Sequence, residues 1–160
     1  MTRGNWLGRS ASRLRRHVLT AAFVVVVCGW VAAPGIARAS DRHLEIDVSE
    51  QVLREVVDGR VVDAIHISTG SGKGYWLDGA WWDGETPRGS FEIYAKDPGW
   101  VEGSLGSLYN AMYFYEGFAV HGSYSVPDYP ASHGCVRVSI EDANALYGRI
   151  PLGTPVLVHD

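Results

Sequence analysis

The chain has 160 residues and a formal net charge of −4, but the first 39 residues carry six of its fourteen basic residues and none of its eighteen acidic ones. Residues 40–160 are therefore eight basic against eighteen acidic, a net charge near −10. That length makes one domain with room for a core of its own, and its acidity argues against a nucleic-acid partner, which would need a basic face.

The opening stretch MTRGNWLGRSASRLRR is basic, and an apolar run follows it. The core of that run, Val18 to Ala33, is 16 residues, short for a membrane span. Ala37-Arg38-Ala39 before Ser40 has the small-x-small form of a signal-peptidase site. Together these predict a secretory signal peptide over residues 1–39 and a mature domain over 40–160, exported to the cell envelope. The alternative is an uncleaved anchor, with membrane contact only through the leader. Arg15-Arg16 is compatible with a twin-arginine route as well as the general one.

The mature region reads as mainly β. Leu44, Ile46 and Val48 alternate with Glu45, Asp47 and Ser49, as in a half-buried strand. Two β-rich runs around Asp58-Gly59 predict a hairpin. The segment from Thr69 to Ser90, with six glycines, reads as a loop, and Phe91 to Lys96 as an alternating strand. DPGWVEGSLGSLYN reads as a second loop, and AMYFYEGFAVHGS as two strands around Glu116-Gly117. YSVPDYPAS, with two prolines, predicts an irregular loop. One short helix is predicted near the C-terminus: Ser139 caps it, Asp142 stands at its third position, and Pro151 and Gly153 end it. TPVLVH closes the chain as a strand.

Cleavage of the leader removes Cys28 and leaves Cys135 as the single cysteine, in a compartment where thiols are usually paired. Such a cysteine is an intermolecular bridge, a reactive thiol or a buried apolar residue. Its neighbours favour the reactive thiol. His133 stands two residues before it and His121 fourteen before it, each followed by a glycine. An ordinary thiol, with pKa about 8.5, is only a few per cent thiolate at pH 7, and a histidine can take its proton or hold the thiolate as an ion pair. On the residues alone either histidine can be that base. Gly134 allows a tight turn that leaves backbone N–H groups beside the sulfur, where an acyl-transfer oxyanion would form. Zinc ligation by His121, His133 and Cys135 is the competing reading. It suggests no fourth ligand, and no metal or cofactor is expected.

The block AVHGSYSVPDYPASHGCVRVS resembles the signature of the L,D-transpeptidase catalytic domain, the YkuD-like family. His121-Gly122 matches its histidine dipeptide, and Ser132-His133-Gly134-Cys135-Val136-Arg137 its cysteine segment. HISTGSG, TPRGSFEIY and DANALYGRIPLGTPVLV are also similar to family segments, so the resemblance runs from about Leu44 to Val158. It implies a β-sandwich or mixed-sheet domain acting on peptidoglycan tetrapeptide stems in a bacterial envelope. Cys135 would be the nucleophile and His121 the base, with His133-Gly134-Cys135 forming the oxyanion hole. Arg137 would bind a carboxylate or hold the loop, and carbapenems would acylate the thiol. Family members with Ser or Thr after the first histidine use it to orient that histidine. Here Gly122 leaves only a backbone carbonyl or a group from elsewhere. Ser132, Gly122 and Tyr115 are the remaining candidates for shaping a substrate groove, Tyr115 with Tyr113 and Phe114. Trp76, Trp81 and Trp82 are candidates for stacking on sugars, with packing on the sheet as the alternative.

Overall fold

The structure is a computed structural model that describes residues 41–160, so the predicted leader and Cys28 lie outside the described residues. The first sheet contains β1 (Arg42–Asp47), β2 (Val52–Val57), β3 (Arg60–His66), β6 (Gly89–Glu92) and β11 (Pro155–His159), in the order β3-β2-β1-β11-β6. Between β3 and β6 lies a small hairpin, β4 (Tyr75–Leu77) with β5 (Ala80–Trp82). The second sheet contains β7 (Ala95–Gly103), β8 (Gly106–Tyr115), β9 (Phe118–Gly122) and β10 (Val136–Val138), in the order β10-β9-β8-β7. The helix α1 spans Ile140–Arg149. The mainly β, mixed-sheet architecture with one short helix is the fold expected from the sequence.

The two sheets and the helix share one core. Leu44, Ile46, Leu53, Val156 and Val158 come from the first sheet, and Met112, Phe114, Val120, Val136 and Val138 from the second. Ala143 and Leu146 add the buried face of α1. The helix begins as its sequence dictates: Ser139 Oγ accepts the Asp142 N–H at 3.0 Å. It ends on Lys96, whose Nζ donates to the carbonyls of Tyr147 and Ile150 at 2.5 and 2.7 Å. A positive charge there suits the negative end of the helix dipole. Arg149, in the last turn, pairs with the buried Glu55 carboxylate at 2.6 Å and also contacts Asp63, tying the helix to β2 and β3. Arg42 pairs with the other Glu55 oxygen.

Three expectations change. DPGWVEGSLGSLYN is not a loop: it forms most of β7 and the start of β8, paired antiparallel. Its proline and glycine are accommodated because β7 is an edge strand, with a bulge between Asp97 and Trp100. The glycine-rich segment before Ser90 contains the β4–β5 hairpin, turning at Asp78-Gly79. Phe91 to Lys96 is not one strand. The chain leaves the first sheet after Glu92 and enters the second at Ala95, held in between by Ile93 N–H on the Thr154 carbonyl and Tyr94 N–H on the Tyr113 carbonyl, both 2.9 Å.

Candidate active site

The site is built on the parallel pair β9 and β10, in which Val136 faces Val120 and Arg137 faces His121. Strand side chains alternate. Val120, Val136 and Val138 enter the core, so the residues between them turn to the opposite face. That face presents His121 from β9 and Arg137 from β10, with Cys135 one residue ahead of β10. All three line a cavity of about 590 Å³. Cys135 would continue the register opposite Ala119, two residues from His121, which puts their Cα atoms about 8 Å apart at ordinary strand spacing. The β4–β5 hairpin closes one side with Tyr75, Leu77 and Trp82, and the tip of the β7–β8 hairpin closes another with residues 103–108.

His121 is 6% exposed, and its Nδ1 lies 3.0 Å from the Gly122 carbonyl oxygen. A carbonyl only accepts, so Nδ1 carries the hydrogen and Nε2 keeps its lone pair. Burial lowers the His121 pKa to about 4, with nearby Arg137 adding to the fall and the Gly122 bond opposing it. Burial raises the Cys135 pKa, opposed by the Ala119 backbone N–H and by Arg137. Near pH 7 the pair is thus a neutral imidazole and a protonated thiol. The thiol also donates to the Gly117 carbonyl at 4.0 Å, and it makes no hydrogen bond to His121.

The segment from Ser132 to Cys135 is held by its carbonyls. That of Ser132 accepts the Ser71 N–H at 2.9 Å, and that of His133 the Tyr75 hydroxyl at 2.9 Å. That of Gly134 accepts the Thr86 hydroxyl at 2.8 Å, and that of Cys135 the Ser132 hydroxyl at 2.5 Å. Backbone N–H groups of this segment were expected beside the sulfur, and the Gly134 N–H is not among the open ones. It instead donates to Ser132 Oγ at 3.0 Å. The N–H groups of His133 and Cys135 have no acceptor among the described residues. Glycine is required at 134: its φ is +128°, and a Cβ there would stand 2.2 Å from Phe118 Cε1.

The other predicted residues divide. His133 is exposed at the cavity wall, its ring edge-on to Tyr75 at 4.9 Å. The Arg137 guanidinium faces the same cavity and pairs with no carboxylate among the described residues. Ser132 lines the wall, but its hydroxyl is engaged within the segment. Gly122 gives the cavity no side chain. A Cβ there would meet Ala143 Cβ at 2.9 Å, and its contribution is the carbonyl that holds His121. Tyr115 does not line the cavity. It follows a register shift in β8 and packs on Phe91 at 5.0 Å, and Tyr113 takes the cavity position. Trp82 faces the cavity beside Phe118, while Trp76 and Trp81 pair across the hairpin and stay exposed. Sequence reading assigned no role to Thr86, Tyr75 or Ser71. The stretch TPRGSFEIY, similar to a family segment, contains Thr86 but gave it no role of its own.

Known proteins resemble this chain in sequence and in fold. The YkuD profile, described as the L,D-transpeptidase catalytic domain, matches residues 41–158. An L,D-transpeptidase from Xylanimonas cellulosilytica is similar at 43% identity and a TM-score of 0.72, over 79% of this chain and 64% of that one. Two more distant structures share the fold. The L,D-transpeptidase LdtMt1 in complex with imipenem has 20% identity and a TM-score of 0.61, over 76% of this chain and 60% of that one. L,D-transpeptidase 3 from Mycobacterium tuberculosis with a faropenem-derived adduct has 19% identity and a TM-score of 0.60, over 76% and 61%. The chain thus spans less than two thirds of each of these structures. No curated protein matches it. A profile match across nearly all of the described region, together with a 43% identical L,D-transpeptidase of the same fold, makes this chain a member of the L,D-transpeptidase catalytic domain (YkuD) family.

Proposed function

We propose that the chain is an exported cysteine acyltransferase of the bacterial envelope, acting on peptidoglycan tetrapeptide stems through a thioester on Cys135. The observation that carries this reading is the neutral Cys135–His121 pair on one sheet face, with the histidine tautomer set by Gly122. Because the thiol is protonated at rest, activation is general-base catalysis coupled to attack. The sulfur adds to the carbonyl of the diamino acid–D-alanine bond while His121 Nε2 takes the thiol proton. The oxyanion is met by the free N–H groups of His133 and Cys135. Collapse breaks the C–N bond, and His121 returns the proton to the departing D-alanine amine. An acceptor amine then attacks the thioester and gives its proton to His121, which passes it to the leaving sulfur. The free Arg137 guanidinium suits a carboxylate of the stem.

Export rests on the basic and apolar N-terminus with Ala37-Arg38-Ala39. The imipenem complex and the faropenem-derived adduct of similar proteins support acylation of Cys135 by carbapenems and penems. Water as acceptor would make the protein an L,D-carboxypeptidase, and a non-catalytic wall-binding domain is the alternative from another class. Incubating the protein with a disaccharide tetrapeptide and reading products by mass separates them. A dimer lacking one D-alanine is expected. Tripeptide alone identifies the carboxypeptidase, and no turnover with Cys135 unmodified overturns the enzymatic reading.

A further inference from the structure

We infer that Thr86, a buried residue that does not line the cavity, is a positioning residue for the acyl-transfer step: its hydroxyl sets the Gly134–Cys135 peptide so that the Cys135 N–H can serve the oxyanion. This rests on the proposed acyltransferase reading. Thr86 is 1% exposed and lies 48 positions before Gly134. Its Oγ1 accepts the Gly70 N–H at 2.8 Å and contacts the Gly134 carbonyl oxygen at 2.8 Å. A carbonyl cannot donate, so the hydroxyl proton is committed to Gly134. A trans peptide is planar, with its N–H opposed to its C=O. With the Gly134 carbonyl aimed inward at Thr86, the Cys135 N–H points outward, and it has no acceptor among the described residues.

This bond decides the orientation because the residue before the peptide is glycine. Gly134 at φ +128° lies where other residues rarely go, and glycine has the freedom to turn the following peptide over at small cost. A flipped peptide would put a carbonyl oxygen where the oxyanion needs a donor. The neighbouring His133–Gly134 peptide is fixed at both ends, by the Tyr75 hydroxyl and by Ser132 Oγ. The Gly134–Cys135 peptide is held through its carbonyl, by Thr86. Thr86 is itself constrained, since Pro87 restricts the residue before it to extended backbone.

The test compares the full-length chain with Thr86→Val, Thr86→Ala and Thr86→Ser in two reactions of the same thiol. Acylation by imipenem passes through a tetrahedral oxyanion. Alkylation by iodoacetamide displaces iodide from a saturated carbon and forms none. Thr86→Val or Thr86→Ala is expected to slow the maximal acylation rate by at least about tenfold, toward the roughly hundredfold cost of losing one oxyanion donor. Alkylation should change less than about twofold, and Thr86→Ser should restore acylation. Two variants of different bulk are carried so that the ratio is read on whichever folds, and the alkylation rate reports the intact site in the same sample. Acylation and alkylation falling together, neither falling, or no recovery in Thr86→Ser would each overturn the inference. A wild-type protein that imipenem does not acylate, with no turnover of the stem, overturns the acyltransferase reading on which it rests.

Discussion

His121 is oriented by the residue that follows it: its Nδ1 donates to the Gly122 carbonyl oxygen at 3.0 Å. The third partner of the proposed nucleophile–base pair is thus a backbone atom that no substitution removes directly. Orientation of the imidazole depends on the backbone of β9 and on the packing that keeps it straight.

Removing the base and removing the nucleophile should therefore differ. Cys135→Ala is expected to abolish turnover and any covalent drug adduct. His121→Asn keeps the thiol, so iodoacetamide still labels Cys135, while stem acylation falls by about 10²–10⁴, the usual contribution of general acid–base catalysis. Intact-mass kinetics on both variants check this. Labelling of His121→Asn that does not recover as the pH is raised, where the thiol ionises without a base, would show that the histidine maintains the pocket as well.

Gly122→Ser introduces the hydroxyl that other family members place after the histidine, yet it should harm this protein. A Cβ at 122 meets Ala143 Cβ at 2.9 Å, Tyr109 Cδ1 at 3.1 Å and Ile140 Cδ1 at 3.2 Å. Overpacking of this kind costs about 1–3 kcal/mol. Urea denaturation is expected to show that loss with no gain in acylation rate. The double variant with Ala143→Gly should recover part of the stability.

Acidity should act through His121. Its pKa is about 4 in the folded protein and about 6.5 in an unfolded chain. Between these values the unfolded state binds more protons, so stability is fully present above pH 6.5 and falls as the pH drops toward 4. The difference amounts to about 3 kcal/mol. Wild type should lose that increment between pH 7 and pH 4 by urea denaturation, and His121→Asn should not. Acylation should stay level through pH 6 and fall near pH 4, whereas an acid limb near 6.5 would contradict a buried neutral base.

Glu55 anchors the far end of the helix, 1% exposed between Arg42 and Arg149. Glu55→Gln leaves Arg42 without its charge partner and Arg149 with Asp63 alone, and should destabilise by about 1.5–3 kcal/mol. The Cys135 alkylation rate at a permissive temperature should not change, because the cluster sits outside the cavity lining. Thermal unfolding together with thiol labelling tests both parts.

Much of the site could be read in the sequence because its signals are short-range. Ser139 and Asp142 cap α1 within one turn, and Asp58-Gly59 closes its hairpin from two residues with positive φ. Ser132, His133 and Cys135 of one motif segment and His121 of the other line one cavity. What misled was composition without context. The glycines and proline after Ala95 read as a loop, but an edge strand with a bulge tolerates them. Alternation puts Tyr113 and Tyr115 on one face, and the register shift in β8 that separates them is invisible in it.

The residues that bond within a few positions of one another, and the motif that names the family, follow from sequence order alone, since no other part of the chain is needed to satisfy them. The shared face of His121, Cys135 and Arg137 depends on the parallel register of β9 and β10, set by Val120, Val136 and Val138 entering a core built by both sheets. The hold of Thr86 on the Gly134 carbonyl arises only when chain segments 48 positions apart close on each other. Such contacts are decided by which surfaces can be buried together, and no local pattern carries that information.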